Sequence, residues 1–307
     1  MYKDGTNHDW EQEMTIPDIF KDMGYKHDSA SGATTTKDEM ILKLWVRHHN
    51  MRFPMAARPW AGICVQHGAD LALGLADYDE NIGSQEPVPM AEAVRSALAK
   101  YDEYKPRTWD DGKDAEEFDA FREHIPEMIG QAIAAVKECF AQSNLIEGEF
   151  QRWHKVDGLD VPVMLYQDYS AGGIQADLKC SLAMRNPPKK DGTRTWRIPK
   201  PKTEPTWQQT VQQAVYWKAT GQAPSLLFVT ASGYHIANSQ NCEALTEASL
   251  ERAYNDAVRS WKITQNLIRA GNGNWHTLAG LVQPDFNEIS RRHGPTILEL
   301  ARQLWRD

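Results

Sequence analysis

Apolar and polar positions change their period several times along this chain, and each change marks an expected element. Thr36-Lys37-Asp38-Glu39 reads as a capping box, and Met40, Ile41, Leu44 and Trp45 follow at helical spacing. That helix should stop before Pro54. A second helix is expected from Ala61 to about Ala76, with Ile63, Val65, Ala69, Leu71 and Leu73 as its apolar positions. Ala91 to Tyr101 and Ala115 to Phe140 also read as helices, the latter broken or kinked at Pro126. The period then shortens. Trp153 to Ser181 reads as three strands joined by turns at Asp157-Gly158 and Ala171-Gly172-Gly173. Thr206-Trp207-Gln208-Gln209 opens a helix that runs to about Thr220 and stops at Gly221. Ser225 to Thr230 is expected as a buried strand, with Tyr234 to Asn238 as its partner across Ala231-Ser232-Gly233. Glu247 to Ala270 is a long amphipathic helix, and a last helix is expected from Pro295 to Trp305. Residues 1–35 show little periodicity and read as a mobile arm with one short helix around Ile16 to Met23. The succession predicts an α/β (α+β) chain: a central mixed sheet flanked by helices, with a mostly helical N-terminal part. One domain is expected over 36–307, with a helical insertion at 77–145.

The strand hairpin carries the candidate chemistry. If the chain reverses at Ala171-Gly172-Gly173, Asp168 falls nearly opposite Asp177, and directly opposed side chains lie roughly 5 Å apart at Cβ. Lys179 is two residues past Asp177 and so shares its face. Two adjacent carboxylates resist joint ionisation unless a cation sits between them. Oxygen-only ligands favour a hard cation such as Mg²⁺, and a lysine beside them adds positive charge where a phosphate gathers negative charge. Glu147 and Glu149, just ahead of the first strand, are further acids within reach of such a site or of solvent.

Charge narrows the picture. The 307 residues carry a net charge of −8, so any nucleic-acid contact must be local. The most basic stretch directly follows the hairpin: Arg185, Lys189, Lys190, Arg194, Arg197, Lys200 and Lys202, kept extended by prolines. These side chains suit phosphate contacts, and Trp196 among them is placed to stack on a base. Asp102 to Glu127 is acid-rich and reads as a solvated face turned away from nucleic acid. The four cysteines are scattered with no C-x-x-C pair, which argues against a structural zinc or an iron–sulfur site and for a reducing compartment. His48 and His49 are adjacent on a helix and point about 100° apart, so they do not share a metal. No apolar run approaches the ~20 residues of a membrane span, and the polar N-terminus is not a secretory signal.

The order of these elements resembles the PD-(D/E)XK nuclease superfamily, and within it the RecB-like exonuclease branch found in phages. The matching residues are Asp168 in VMLYQDYS, Asp177 and Lys179 in IQADLKCS, and Gln212 with Tyr216 in QQAVYW, over roughly His67 to Asn238. The resemblance implies a restriction-endonuclease-like fold and Mg²⁺- or Mn²⁺-dependent hydrolysis of DNA phosphodiesters, with no iron–sulfur cluster. It also implies DNA ends, single- or double-stranded, as substrate, a single-strand annealing or binding protein as a further partner, and a cytoplasmic setting in a phage-infected or bacterial cell. A structure-specific endonuclease and a non-catalytic DNA-binding accessory protein are the alternatives. By the same resemblance Asp168 and Asp177 bind the metal with the main-chain carbonyl of Leu178. Lys179 assists the attacking water or the transition state, and Gln212 and Tyr216 brace the site. The branch also has a metal-ligating helix histidine in a G-x-x-x-H pattern; here His67 lies five residues after Gly62 rather than four. A second departure is Leu165 where G-x-x-D would place glycine, which leaves Asp160 in DGLD as a rival. The short hairpin favours Asp168.

Overall fold

The computed structural model describes residues 16–75, 86–110, 112–143, 145–148, 150–187, 189–190 and 195–306. Its central sheet is mixed. Strands β4 (Tyr169–Ala171), β5 (Ile174–Cys180), β8 (Ala223–Thr230) and β9 (Gly233–Asn238) lie in that order, with β5 parallel to β8 and the outer pairs antiparallel. Parallel neighbours need a crossover, and helix α8 (Trp207–Thr220) supplies it. A smaller sheet sets β3 (Val163–Gln167) between β1 (Asp28–Ser29) and β2 (Phe150–His154), and β6 (Met184–Arg185) pairs with β7 (Trp196–Arg197) in a two-stranded ribbon.

Alternation along the strands builds a core on each face of the central sheet. Leu227 and Val229 of β8, with Ala176 and Leu178 of β5, pack against α4 (Ala57–Leu73), α5 (Met90–Asp102), α6 (Lys113–Arg122) and α7 (Ile125–Cys139). Leu226 and Phe228 point the other way, onto Val211, Ala214 and Val215 of α8 and onto α9 (Glu247–Gly271). Along α9, Leu250, Ala253, Tyr254, Ala257 and Trp261 recur at the helical period and form its buried stripe. The helical block expected as an insertion at 77–145 supplies α5, α6 and α7 to this layer beside α4, with α7 packed directly on the sheet.

Several boundaries differ from the sequence expectation. The described part of the N-terminal arm, 16–35, is built into the fold and is not a mobile arm. Helix α1 (Asp18–Asp22) buries Phe20, β1 joins the small sheet beside β3, and Trp261 Nε1 donates to the carbonyl of Ser29 at 3.1 Å at the start of α2 (Ala30–Thr34). Residues 1–15 lie outside the described residues. Helix α3 (Lys37–His48) starts after Thr36, but the Thr36 side chain accepts no capping bond. The capping box at Thr206 and Gln209 does form. Asp157-Gly158 is not a tight hairpin turn; β2 and β3 are joined through residues 155–162 and pair from His154 and Val163 outward. After α10 (Trp275–Gly280), α11 (Phe286–Trp305) starts earlier than Pro295. It bends at Gly294, whose φ of 79° and contact with the Trp109 ring exclude a side chain there.

Candidate active site

One bend and one turn create the site. The predicted strand Val161 to Tyr169 is two strands, broken at Asp168 where the chain leaves the small sheet for the central one. Gly172 and Gly173, at φ 57° and 80°, then close a two-residue hairpin turn that needs positive φ at both positions. The register pairs Tyr169 with Ala176, so the next step of the ladder sets Asp168 against Asp177. The Leu178 N–H donates to Asp168 Oδ2 at 2.7 Å and holds that carboxylate over β5. A buried amide pair, Gln167 Nε2 donating to Gln175 Oε1, ties the end of β3 to the same strand.

Alternation on β5 sends Ala176 and Leu178 to one core and turns Asp177 and Lys179 toward α8. Asp177 is buried and forms an ion pair with Lys179. Gln212 Nε2 donates to Asp177 Oδ1 at 3.3 Å and to the Tyr216 hydroxyl at 3.0 Å. The Tyr216 hydroxyl in turn donates to the carbonyl of Tyr166, on β3. Gln212 and Tyr216 are one helical turn apart on α8, so this i, i+4 pair links β5, α8 and β3.

Electrostatics fix the charge states. Burial acts against the charge on Lys179, but Asp177 and Asp168 outweigh it and hold its pKa above the usual lysine value. Lys179 is therefore a cation at neutral pH and has no proton-accepting form to offer. Burial, reinforced by Asp177, keeps the Tyr216 phenol protonated far above its ordinary range. Burial and Asp168 push the Cys180 thiol up to about 12, so it is not a thiolate nucleophile.

These groups open into a cavity of about 570 Å³ lined by Asp168, Asp177, Leu178, Lys179, Gln212 and Tyr216. The N-terminal half of α4 forms another wall with Arg58, Gly62, Ile63 and Gln66. His67 is not part of it: its Nε2 meets Ser96 Oγ of α5 at 3.0 Å, on the far side of α4. The position four residues after Gly62 belongs to Gln66, which lines the cavity as the G-x-x-x spacing implies. The rival Asp160 also lies elsewhere, its carboxylate paired with Arg269 of α9.

The basic loop divides. Lys202 lines the cavity, and Lys189, Lys190, Arg197 and Lys200 are exposed. Arg185 instead forms an ion pair with Glu116. Arg194 lies outside the described residues, as does Glu149, while Glu147 bridges its backbone to Ser170. Trp196 is half-buried and packs edge-on against Phe121 at 5.9 Å, at the margin of the core and not free on the surface. The acid-rich segment is not simply a solvated face either. Asp114 is fully buried, taking hydrogen bonds from the Ala57 and Arg107 N–H groups and the Tyr104 hydroxyl, and Glu117 pairs with Arg58.

The donor set suits a hard divalent cation in kind, since Asp168, Asp177 and the Leu178 main chain offer oxygen only. Among the described residues no group of three or more His, Cys, Asp or Glu side chains converges on one point. Such an ion would keep several positions for water or phosphate oxygens, as Mg²⁺ ordinarily does. Among the described residues no helix is long and apolar enough to cross a membrane. No protein-family model, curated protein or solved structure matches this chain.

Proposed function

We propose that this chain is a metal-dependent deoxyribonuclease of the PD-(D/E)XK superfamily, of the RecB-like exonuclease kind, on a restriction-endonuclease-like fold. The observation that carries the reading is the convergence of Asp168, Asp177 and Lys179 with the Gln212–Tyr216 pair on one cavity. The mixed sheet with helices on both faces is compatible with that fold.

Asp168, Asp177 and the Leu178 carbonyl would hold Mg²⁺ or Mn²⁺, which supplies Lewis-acid activation of water and neutralises phosphate charge. The chain's own residues do the rest. Lys179, kept protonated by its two acidic neighbours, sets a positive charge beside the carboxylate pair, where the negative charge of a phosphoryl transition state develops. Gln212 orients Asp177 and locks the Tyr216 hydroxyl, so that the carboxylate does not rotate away. Lys202 on the rim, with the exposed Lys200 and Arg197, draws the DNA backbone in by ion pairing. Burial of Asp177 strengthens its pairing with Lys179 and its hydrogen bond from Gln212.

The test is digestion of end-labelled linear DNA and closed circular DNA in Mg²⁺ or Mn²⁺. Loss of label from linear DNA with circles intact is the expected result. Asp177→Ala and Lys179→Ala should each lower cleavage by at least a hundredfold, in line with removal of a transition-state contact. Full activity in both folded variants would sink the assignment. Metal-independent binding without cleavage would instead support an accessory role.

A further inference from the structure

The cavity that holds the carboxylate pair contains a cation that the proposed reaction leaves unused. Arg58 is the second residue of α4 and lines the cavity one helical turn before Gly62. Gly62 lies against Cys180 at the end of β5, where an added Cβ would meet the Cys180 Cβ at 3.9 Å. Arg58 Nη2 reaches past that point, to the carbonyl of Ala183 at 3.5 Å. Lys179 and Ala183 are four residues apart, at most about 13 Å of extended chain. Arg58 therefore stands on the same wall beyond Lys179, toward β6.

Its guanidinium is held flat and oriented. The carbon lies 4.7 Å from the centroid of the Phe121 ring, a cation–π contact. Nη2 also donates to Glu117 Oε1 at 3.2 Å. Both hydrogen bonds thus run through Nη2. A guanidinium carries five N–H groups, and among the described residues Nε and Nη1 have no partner. The Arg58 side chain is 41% exposed, so those donors remain open to a ligand. A preorganised guanidinium with spare donors matches a phosphate in a way that a flexible ammonium does not. The surrounding charge permits an anion. Two acids of α6 stand on this side, and each has its own cation: Glu116 pairs with Arg185 and Glu117 with Arg58. Lys202 in the same cavity and the exposed Arg197 of β7 add positive charge to that balance.

We infer that Arg58 forms a subsite for a backbone phosphate of the bound strand, one that flanks the scissile phosphate. Glu117 and Phe121 hold the guanidinium in place, and Nε and Nη1 donate to the phosphate oxygens. This inference rests on the nuclease reading above and deepens it, because it gives the strand a path. The path runs from the carboxylate pair over the start of α4 toward the β6–β7 ribbon. Phosphate and Glu117 share one cation, so the acid weakens binding while it orients the arginine.

The experiment follows binding of a fluorescein-labelled single-stranded oligonucleotide by anisotropy, in EDTA and over a series of salt concentrations. Arg58→Gln should weaken binding by roughly tenfold, as loss of a charged hydrogen bond does. It should also flatten the slope of log K against log[salt] by about 0.7, the share of one single-strand phosphate. A merely structural Arg58–Glu117 pair would not move that slope. Arg58→Lys should keep the slope and recover only part of the affinity, since the charge stays and the fork is lost. Glu117→Gln should tighten binding. Arg259→Gln, on α9 at the opposite face of the sheet, should change neither quantity. A folded Arg58→Gln with the native slope overturns the subsite. Where that variant does not fold, unchanged affinity in Glu117→Gln overturns it instead. Cleavage by the native chain in Mg²⁺ or Mn²⁺ is scored separately. Its absence removes the nuclease reading, while a flattened slope still supports Arg58 as a phosphate contact. No binding by the native chain overturns both.

Discussion

Lys179→Met isolates the electrostatics of the site from its packing, because methionine keeps much of the apolar stem and removes the charge. Asp177 would then keep a carboxylate whose side chain is only 3% exposed, with one hydrogen bond from Gln212 and a second carboxylate beside it. Removing one partner of a fully buried pair costs about 3–5 kcal/mol. The Lys179 side chain is 25% exposed, so water screens part of this, and about 2–3 kcal/mol is the reasoned figure. With an unfolding entropy of about 2.1 cal/mol/K per residue over 307 residues, that corresponds to a fall in Tm of about 3–5 °C in chelator. A divalent ion between the carboxylates replaces the missing charge, and at about 100-fold over its Kd it restores roughly 2.7 kcal/mol. Melting curves with EDTA and with Mn²⁺ should therefore show a larger metal-induced rise for Lys179→Met than for the native chain. The rise should vanish in Asp168→Asn/Asp177→Asn. If Lys179→Met melts with the native protein in EDTA, Asp177 is not a buried charge dependent on that lysine. If the double Asn variant shows the same Mn²⁺ response, the ion binds elsewhere.

Three other outcomes follow from particular contacts. Asp28 is buried against Tyr25 and Gln265, and burial, only partly offset by their hydrogen bonds, raises its carboxyl to about 6. The folded state thus holds a proton that the unfolded state has released between about pH 4 and 6, and stability falls as pH rises through that window. Asp28→Asn should flatten this slope, worth up to roughly 3 kcal/mol, in urea unfolding at pH 4 and pH 7; an unchanged slope refutes it. Gln167→Leu strands the buried Gln175 amide and should cost about 1–3 kcal/mol, whereas Gln167→Leu/Gln175→Leu removes both partners and should recover most of it in chemical denaturation. Trp196→Ala should lower stability by about 1–3 kcal/mol while leaving DNA affinity within about twofold, since its ring packs on Phe121; a selective loss of binding by fluorescence anisotropy would return it to the DNA surface.

The sequence by itself determined most of the elements and the hairpin that carries the carboxylates. Gly172-Gly173 leaves few alternatives for the turn, and period-two alternation then sets Asp168 against Asp177 and Lys179 beside them. Gln212 and Tyr216 share a face by helical spacing alone. These are local rules, which act over a few residues and are readable without a partner. Other features depended on what each segment meets. Residues 16–35 lack a periodic signal because they gain order from β3 and α9, not from their own propensity. The hairpin favours Asp168 over Asp160 by position, and the structure adds what the sequence could not show, the pairing of Asp160 with Arg269 of α9 away from the site. His67 and Gln66 are neighbours about 100° apart on α4, and the packing of that helix against α5 decides which faces the cavity. The basic loop looked uniform because charge is countable in a sequence and ion pairing is not. Glu116 takes up Arg185 and Phe121 takes up Trp196, while Lys202 is left to line the cavity. A cavity of about 670 Å³ that adjoins the site at Lys179 and Gln212 brings α3 and α11, from opposite ends of the chain, against α8, and so belongs to the tertiary structure alone.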